Sequence, residues 1–293
     1  NMQELWDLQT IKRLLSRHGF QFSKALGQNF LIDPTVCPRM AEESGVNAQA
    51  GVLEVGPGFG VLTQQLAQRA AKVVAIELDK RLPAVLAETL ADFDNVTVVN
   101  DDVMKLDLHA LIEREFPGMP VQVCANLPYY ITSPVIMKLL EERLPIESLT
   151  VMVQKEAAER LCAQPGTRSC GAVSVAVQYY AEPEILFAVP RDSFYPAPNV
   201  DSAVIRLRIR TQPPLSLGTV TEKEFFRMVQ AAFGQRRKTV PNALSAGLAR
   251  EKASVAQALE TAGIPAQARA EQLSMEQWGA LCQGLFAGTG GGT

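Results

Sequence analysis

The chain has 293 residues, 47% hydrophobic and 20% charged, with a formal net charge of -3 at neutral pH. That length fits one large domain or a large and a small one, and the acidic whole excludes nucleic-acid binding by overall charge, leaving local basic patches as the only route to such a partner. The five cysteines, Cys37, Cys124, Cys162, Cys170 and Cys282, form no CxxC pair, which excludes a disulfide framework and a thiolate zinc site and points to reduced thiols in a cytosolic compartment.

Residues 4–18 are predicted to form a helix, with Leu5, Leu8, Ile11, Leu14 and Leu15 at helical spacing and Lys12, Arg13 and Arg17 on its polar side. The stretch 24–33 follows no clean period and mixes Gly27, Gln28 and Asn29 with Phe30, Leu31 and Ile32; it reads as a loop, either structural or folding over a ligand. Pro34 suits the first turn of a helix running to about 44, with Asp33 as its N-cap.

A strand at 52–55 runs directly into Gly56-Pro57-Gly58-Phe59-Gly60, followed by a helix at 61–70 and a second strand at 73–76 ending at Glu77. This is a βαβ unit with a glycine-rich first turn. Glycines there let the backbone approach a cofactor, and an acid at the end of the second strand can hold ribose hydroxyls. The dinucleotide fingerprint needs glycine at the sixth position, where Val61 stands; the alternating glycines after Glu54 and Val55 instead resemble the S-adenosylmethionine site of Rossmann-like methyltransferases. A third strand, 96–99, ends in Asn100-Asp101-Asp102, an acid that either accepts from an adenine amino group or caps a turn.

The fourth strand, 121–125, delivers Asn126-Leu127-Pro128-Tyr129. The Asn126 side-chain oxygen and the Leu127 carbonyl can each accept a hydrogen bond from one exocyclic amino group, Pro128 holds Leu127 extended, and Tyr129 offers a ring for stacking a base. Alone, the same four residues also describe a turn with a buried tyrosine. Four strand ends carrying polar groups on one edge of a parallel sheet favour a site.

Further along, a helix is predicted from 133 to about 143, a fifth strand at 149–153, a helix to about 162, and a polar loop at 164–171. Residues 172–180 read as a helix, although Val173, Val175 and Val177 alternate as in a strand. An antiparallel pair is expected from 184–189 and 203–209, and the intervening Phe194-Tyr195-Pro196-Ala197-Pro198 is too proline-rich for regular structure. Phe194 then either stacks on a flipped base or packs against the sheet edge. Pro213 and Pro214 mark a linker, and four helices follow at roughly 221–233, 238–248, 252–262 and 274–287. Arg236, Arg237 and Lys238, with Arg206, Arg208, Arg210, Lys223 and Arg227, make this end locally basic, which suits either RNA phosphates or a solvated turn.

Together these stretches resemble the ribosomal RNA adenine N6-dimethyltransferase family. The matches are Gly27-Gln28-Asn29-Phe30-Leu31, Glu54 to Gly60, Asn126-Leu127-Pro128-Tyr129, Gln154-Lys155-Glu156, Phe194 to Val204, and Phe233-Gly234-Gln235-Arg236-Arg237-Lys238-Thr239. The resemblance implies an α/β fold: a Rossmann-like class I methyltransferase domain at 1–212, with an N-terminal helix and cofactor loop at 1–45, a smaller C-terminal α-helical RNA-binding domain at 213–287, and a disordered tail at 288–293. It implies S-adenosylmethionine as cofactor, bound by Asn29, Leu31, Gly56, Gly58, Glu77, Asp102 and Asn126. Glu77 would hold the ribose and Asp102 the adenine amino group, the spacing to Met104 favouring Asp102 over Asp101.

It further implies that Asn126, Leu127, Pro128, Tyr129 and Phe194 act on the N6 of two adjacent adenosines in the 3′-terminal hairpin loop of small-subunit rRNA. Arg236, Arg237 and Lys238 would dock the RNA or precursor subunit. No metal and no membrane are implied, and a cytoplasmic monomer is expected. The stretch from Phe233 to Thr239 favours the small-subunit branch over large-subunit enzymes that confer macrolide resistance, and over DNA adenine methyltransferases. A non-catalytic ribosome-assembly factor is the rival from another class.

Overall fold

A computed structural model describes residues 2–20, 29–127 and 132–286. Gly27, Gln28, Pro128, Tyr129 and the 288–293 tail therefore lie outside the described residues. The chain divides into two units, Asn1–Ala158 with Pro183–Ile209, and Glu159–Glu182 with Arg210–Thr293. Residues 159–182 thus group with the C-terminal helices, whereas the sequence reading kept everything before 213 in one domain.

In chain order the elements are α1 (Leu8–Arg17), β1 (Phe30–Leu31), α2 (Val36–Glu43), β2 (Gly51–Val55), α3 (Val61–Ala67), β3 (Lys72–Glu77), α4 (Leu82–Thr89), β4 (Val96–Asn100), α5 (Leu108–Glu115), β5 (Val121–Asn126), α6 (Thr132–Glu141) and β6 (Ser148–Gln154). Then come α7 (Lys155–Leu161), α8 (Ala172–Tyr180), β7 (Ala181–Val189), β8 (Phe194–Tyr195), β9 (Ser202–Ile209), α9 (Glu222–Phe233), α10 (Val240–Leu248), α11 (Lys252–Thr261) and α12 (Met275–Phe286). This is the expected α/β sheet followed by helices.

The seven-stranded sheet runs β4-β3-β2-β5-β6-β9-β7. β2 pairs in parallel with β3 and β5, β3 with β4, and β5 with β6, while β6 and β9 are antiparallel. β2 is buried along its whole length and β5 at every residue but Asn126, as expected for parallel strands covered on both faces. The chain passes from β2 to β3 and β4, then returns to β5 on the other side of β2. That reversal opens a crevice at the carboxyl ends of β2 and β5, the usual ligand position in such sheets.

Each fully buried aliphatic side chain contributes about 2 kcal/mol. One cluster gathers Leu31, Met40, Val52, Leu66, Cys124, Met152, Phe194 and Val204. A second joins Ile11, Leu14 and Leu15 of α1 to Phe20, Phe30, Phe59, Leu86 and Leu90. α1 starts where the Asp7 carboxylate accepts from the Thr10 N–H at 3.1 Å, and its apolar face seats the helix in that second cluster. In the second unit, Thr221 and Glu224 form a reciprocal cap for α9, and Trp278 of α12 is fully buried with its ring 5.7 Å from that of Phe233.

Two expectations need correction. Asp33 is not the N-cap of α2, which is Thr35; its carboxylate instead accepts from the Thr35 N–H and hydroxyl at 2.9 and 2.6 Å, an Asx turn closed two residues ahead. Phe194 and Tyr195 do form regular structure, pairing antiparallel with β1 so that Leu31 faces Phe194 and Phe30 faces Tyr195. The prolines at 196 and 198 lie beyond this short ladder and so cost it no donor. The helix expected at residues 172–180 is present, and the alternating valines reflect burial of every residue from Ser174 to Tyr180 rather than one sheet face.

Candidate active site

The glycine turn after β2 takes left-handed backbone at alternate positions, with φ of 69° at Gly56, 57° at Gly58 and 95° at Gly60. A Cβ on Gly56 or Gly58 would meet no atom within 4 Å, whereas one on Gly60 would lie 3.0 Å from Thr89 Oγ1. The first two glycines therefore leave open space and the third lets the turn pack on α4.

At the end of β3 the buried Glu77 carboxylate accepts from the Gly58 N–H at 3.2 Å and from the Asp79 N–H at 2.8 Å. Burial pushes its pKa above the ordinary 4.5, and these backbone bonds pull against that rise. Deeper in the wall, Glu54 is fully buried and accepts from the Thr63 hydroxyl. Burial raises its pKa to about 8, with the Glu77 charge adding to the rise. Burial likewise raises the Cys124 thiol to about 12 and Cys37 further still, so neither is a reactive thiolate.

At the end of β4, Asp101 is exposed and Asp102 half-buried. The Asp102 carboxylate accepts from the Met104 N–H at 2.9 Å. At the end of β5, Asn126 is half-buried, and the buried Leu127 donates its N–H to the Met152 carbonyl at 3.3 Å. The ribbon of β1 and β8 brings in the remaining side chains. Asn29 Nδ2 donates to the Pro196 carbonyl, the Ile32 N–H to the Ser193 carbonyl at 2.8 Å, and the Ser193 hydroxyl to Asp33 Oδ2 at 3.0 Å.

Asn29, Leu31, Gly56, Gly58, Glu77, Asp102, Asn126, Leu127 and Phe194 all line one cavity of about 780 Å³. That volume suits a nucleoside-sized ligand. Sequence reasoning missed Leu78, Met104 and Phe59 in the same wall. Leu78 and Met104 are 64% and 42% exposed, two apolar side chains that follow the ends of the neighbouring strands β3 and β4. The available signal was an apolar residue directly after the acid at 77 and two after that at 102. No cluster of three or more His, Cys, Asp or Glu side chains suited to a metal occurs among the described residues.

Arg236, Arg237 and Lys238 do not line this cavity; they are exposed on the turn between α9 and α10. Three arginines grouped with them from the sequence are engaged elsewhere. Arg206 binds Glu184 at 2.5 Å and the Glu43 carbonyl at 3.0 Å, Arg208 binds Glu184 at 3.4 Å, and Arg210 binds Glu182 at 3.5 Å and the Gln178 carbonyl at 2.9 Å.

The family model for ribosomal RNA adenine dimethylase matches residues 19–285. The chain belongs to this family. Among curated dimethylase relatives, the ribosomal RNA small subunit methyltransferase A of Geobacillus thermodenitrificans (strain NG80-2) is 49% identical over 279 residues, covering 94% of each chain. That of Alkaliphilus oremlandii (strain OhILAs) is 50% identical over 275 residues, covering 94% of this chain and 95% of the relative. Of solved structures, the 23S rRNA methyltransferase ErmE is 33% identical with a TM-score of 0.67, covering 88% of this chain and 99% of that one. A dimethyladenosine transferase from Plasmodium falciparum, 24% identical with a TM-score of 0.70 over 85% of this chain and 94% of its own, shares the fold. No helix among the described residues is long and apolar enough to cross a membrane.

Proposed function

We propose that the chain transfers methyl groups from S-adenosylmethionine to the N6 of two adjacent adenosines near the 3′ end of small-subunit rRNA, giving N6,N6-dimethyladenosine. The observation that carries this reading is the convergence of Gly56, Glu77, Asp102, Asn126 and Phe194 on one cavity at the sheet's switch point. Identity of 49 and 50% to small-subunit methyltransferases along nearly the whole chain supports the choice of substrate.

The residues present fit this cofactor. Open space over Gly56 and Gly58 leaves room for a ligand against the backbone, the Glu77 carboxylate would suit a ribose diol, Asp102 would suit an adenine amino group, and Leu78 and Met104 would offer it apolar surface. Asn29 and Leu31 would hold the methionine moiety, and Asn126 would serve both cofactor and target base. When bound, the cofactor supplies a sulfonium methyl with a good leaving group.

The chain's own work is positioning. The lone pair of an adenine N6 is conjugated into the ring. Two acceptors on its hydrogens, the Asn126 side-chain oxygen and the Leu127 carbonyl, favour a more tetrahedral nitrogen with a freer lone pair. Phe194, with Tyr129, would hold the flipped base by its faces. Arg236, Arg237 and Lys238 would bind phosphates of the RNA or precursor subunit.

The test is transfer of labelled methyl from S-adenosylmethionine to unmethylated small ribosomal subunits, large-subunit RNA and duplex DNA. Dimethyladenosine in small-subunit rRNA alone is expected. Label on large-subunit RNA would overturn the substrate, and no transfer to any of the three would overturn the enzyme.

A further inference from the structure

Lys138, on α6, is a lysine whose side chain is only 11% exposed. Its ammonium does not end on a close carboxylate, since Glu142 Oε1 is 3.6 Å away. It donates instead to two backbone carbonyls, Val103 O at 2.8 Å and Leu106 O at 3.0 Å. These carbonyls bracket the turn after β4. Within that turn the Asp102 carbonyl accepts from the N–H groups of Lys105 and Leu106 at 2.9 and 3.1 Å, and the Asp102 carboxylate accepts from Met104 N–H.

Burying a charged ammonium is costly unless it is solvated by dipoles or a counter-charge. An apolar side chain would fill this place at less cost. What the lysine adds is two directed, charge-assisted hydrogen bonds to a segment 32 to 35 residues away in the chain. That segment carries Asp102, Val103 and Met104 into the cavity wall. α6, at the other end of the bonds, is the helix that follows Asn126 and Leu127, and it is anchored by the buried Val135, Ile136, Leu139 and Leu140. A second tie joins α5, the helix after that turn, to the end of α6, His109 Nε2 lying 2.6 Å from the Glu142 carbonyl.

We propose that Lys138 is a positioning residue, holding the turn from Asp102 to Leu106 in the shape that receives the cofactor's adenine and linking it to the helix behind the target-base grip. This rests on the cofactor reading given above. Lys138 touches neither ligand; it acts through the two carbonyls and the carboxylate they orient.

The experiment compares wild-type protein with Lys138→Met and Lys138→Arg. In the RNA-free protein, Lys138→Met is expected to weaken S-adenosylmethionine binding about tenfold by calorimetry. Its KM for the cofactor rises to match, while kcat at saturating cofactor stays within about twofold. In the cofactor-free protein, amide exchange at Met104, Lys105 and Leu106 quickens while that of β5 is unchanged. Lys138→Arg, which keeps the donors, recovers most of the affinity. Should Lys138→Met not fold, Lys138→Gln, uncharged and shorter, carries the same comparison. A variant that melts earlier yet binds cofactor like wild type, with the turn's amides unaffected, overturns the proposal and leaves the cofactor site standing. Wild-type protein that binds no S-adenosylmethionine would overturn both.

Discussion

Glu77 and Gly58 are joined by a hydrogen bond, the Gly58 N–H donating to Glu77 Oε1 at 3.2 Å while Oε2 takes the Asp79 N–H at 2.8 Å. One carboxylate thus ties the end of β3 to the glycine turn after its parallel neighbour β2, and both lie on the cavity wall. Such an acceptor is set in place before any ligand arrives, so little ordering is left to be done on binding.

Replacing Glu77 by Ala removes both that brace and the acceptor proposed for the ribose. Cofactor affinity should fall about 10- to 100-fold, the range for losing hydrogen bonds to a charged group. Calorimetry on the RNA-free protein measures the loss, and binding to precursor small subunits should persist in the same variant.

Glu54 predicts a pH dependence of stability. Its carboxyl is pushed from the ordinary 4.5 to about 8 in the folded chain. Between those values the folded protein keeps a proton that the unfolded chain has released, so this group's contribution is full below the unfolded pKa and is lost as pH rises toward about 8. The slope is about 1.4 kcal/mol per pH unit. Glu54→Gln should abolish it, and in urea unfolding the variant should gain on wild type at each step upward from about pH 5.

Asn126→Ala should remove one of the two acceptors for the target amino group. Turnover is expected to drop about 100- to 1,000-fold, as for loss of one preorganised group at a reacting centre. Single-turnover methyl transfer reads this directly, and RNA affinity should stay within about twofold because an uncharged amide contributes nothing to phosphate neutralisation.

Arg236, Arg237 and Lys238 are exposed, and changing all three to Glu should lower the slope of log affinity against log salt for small-subunit rRNA by about two. An unchanged slope would remove this turn from the RNA interface.

Much of this was legible beforehand because it is written locally. The alternating glycines from Gly56 to Gly60, an acid ending the next strand, and a continuous apolar run before Asn126 each depend on neighbours within a few residues. The pairing of Arg206, Arg208 and Arg210 was not legible because their partners, Glu184 and Glu182, sit on another strand more than twenty residues away. The strand at Phe194 and Tyr195 escaped notice for a like reason, its partner being Phe30 and Leu31, far away in the chain.

The sequence by itself determined the order of strands and helices, the glycine turn and the polar residues at the strand ends, since short-range periodicity and backbone preference decide these. The tertiary structure alone decided that Asn29, Glu77, Asp102, Asn126 and Phe194 meet at one cavity, that Leu78 and Met104 line the same cavity, and that Lys138 reaches the carbonyls of Val103 and Leu106. Contacts between residues far apart in the chain depend on how the sheet is wound and packed. No local pattern carries that information.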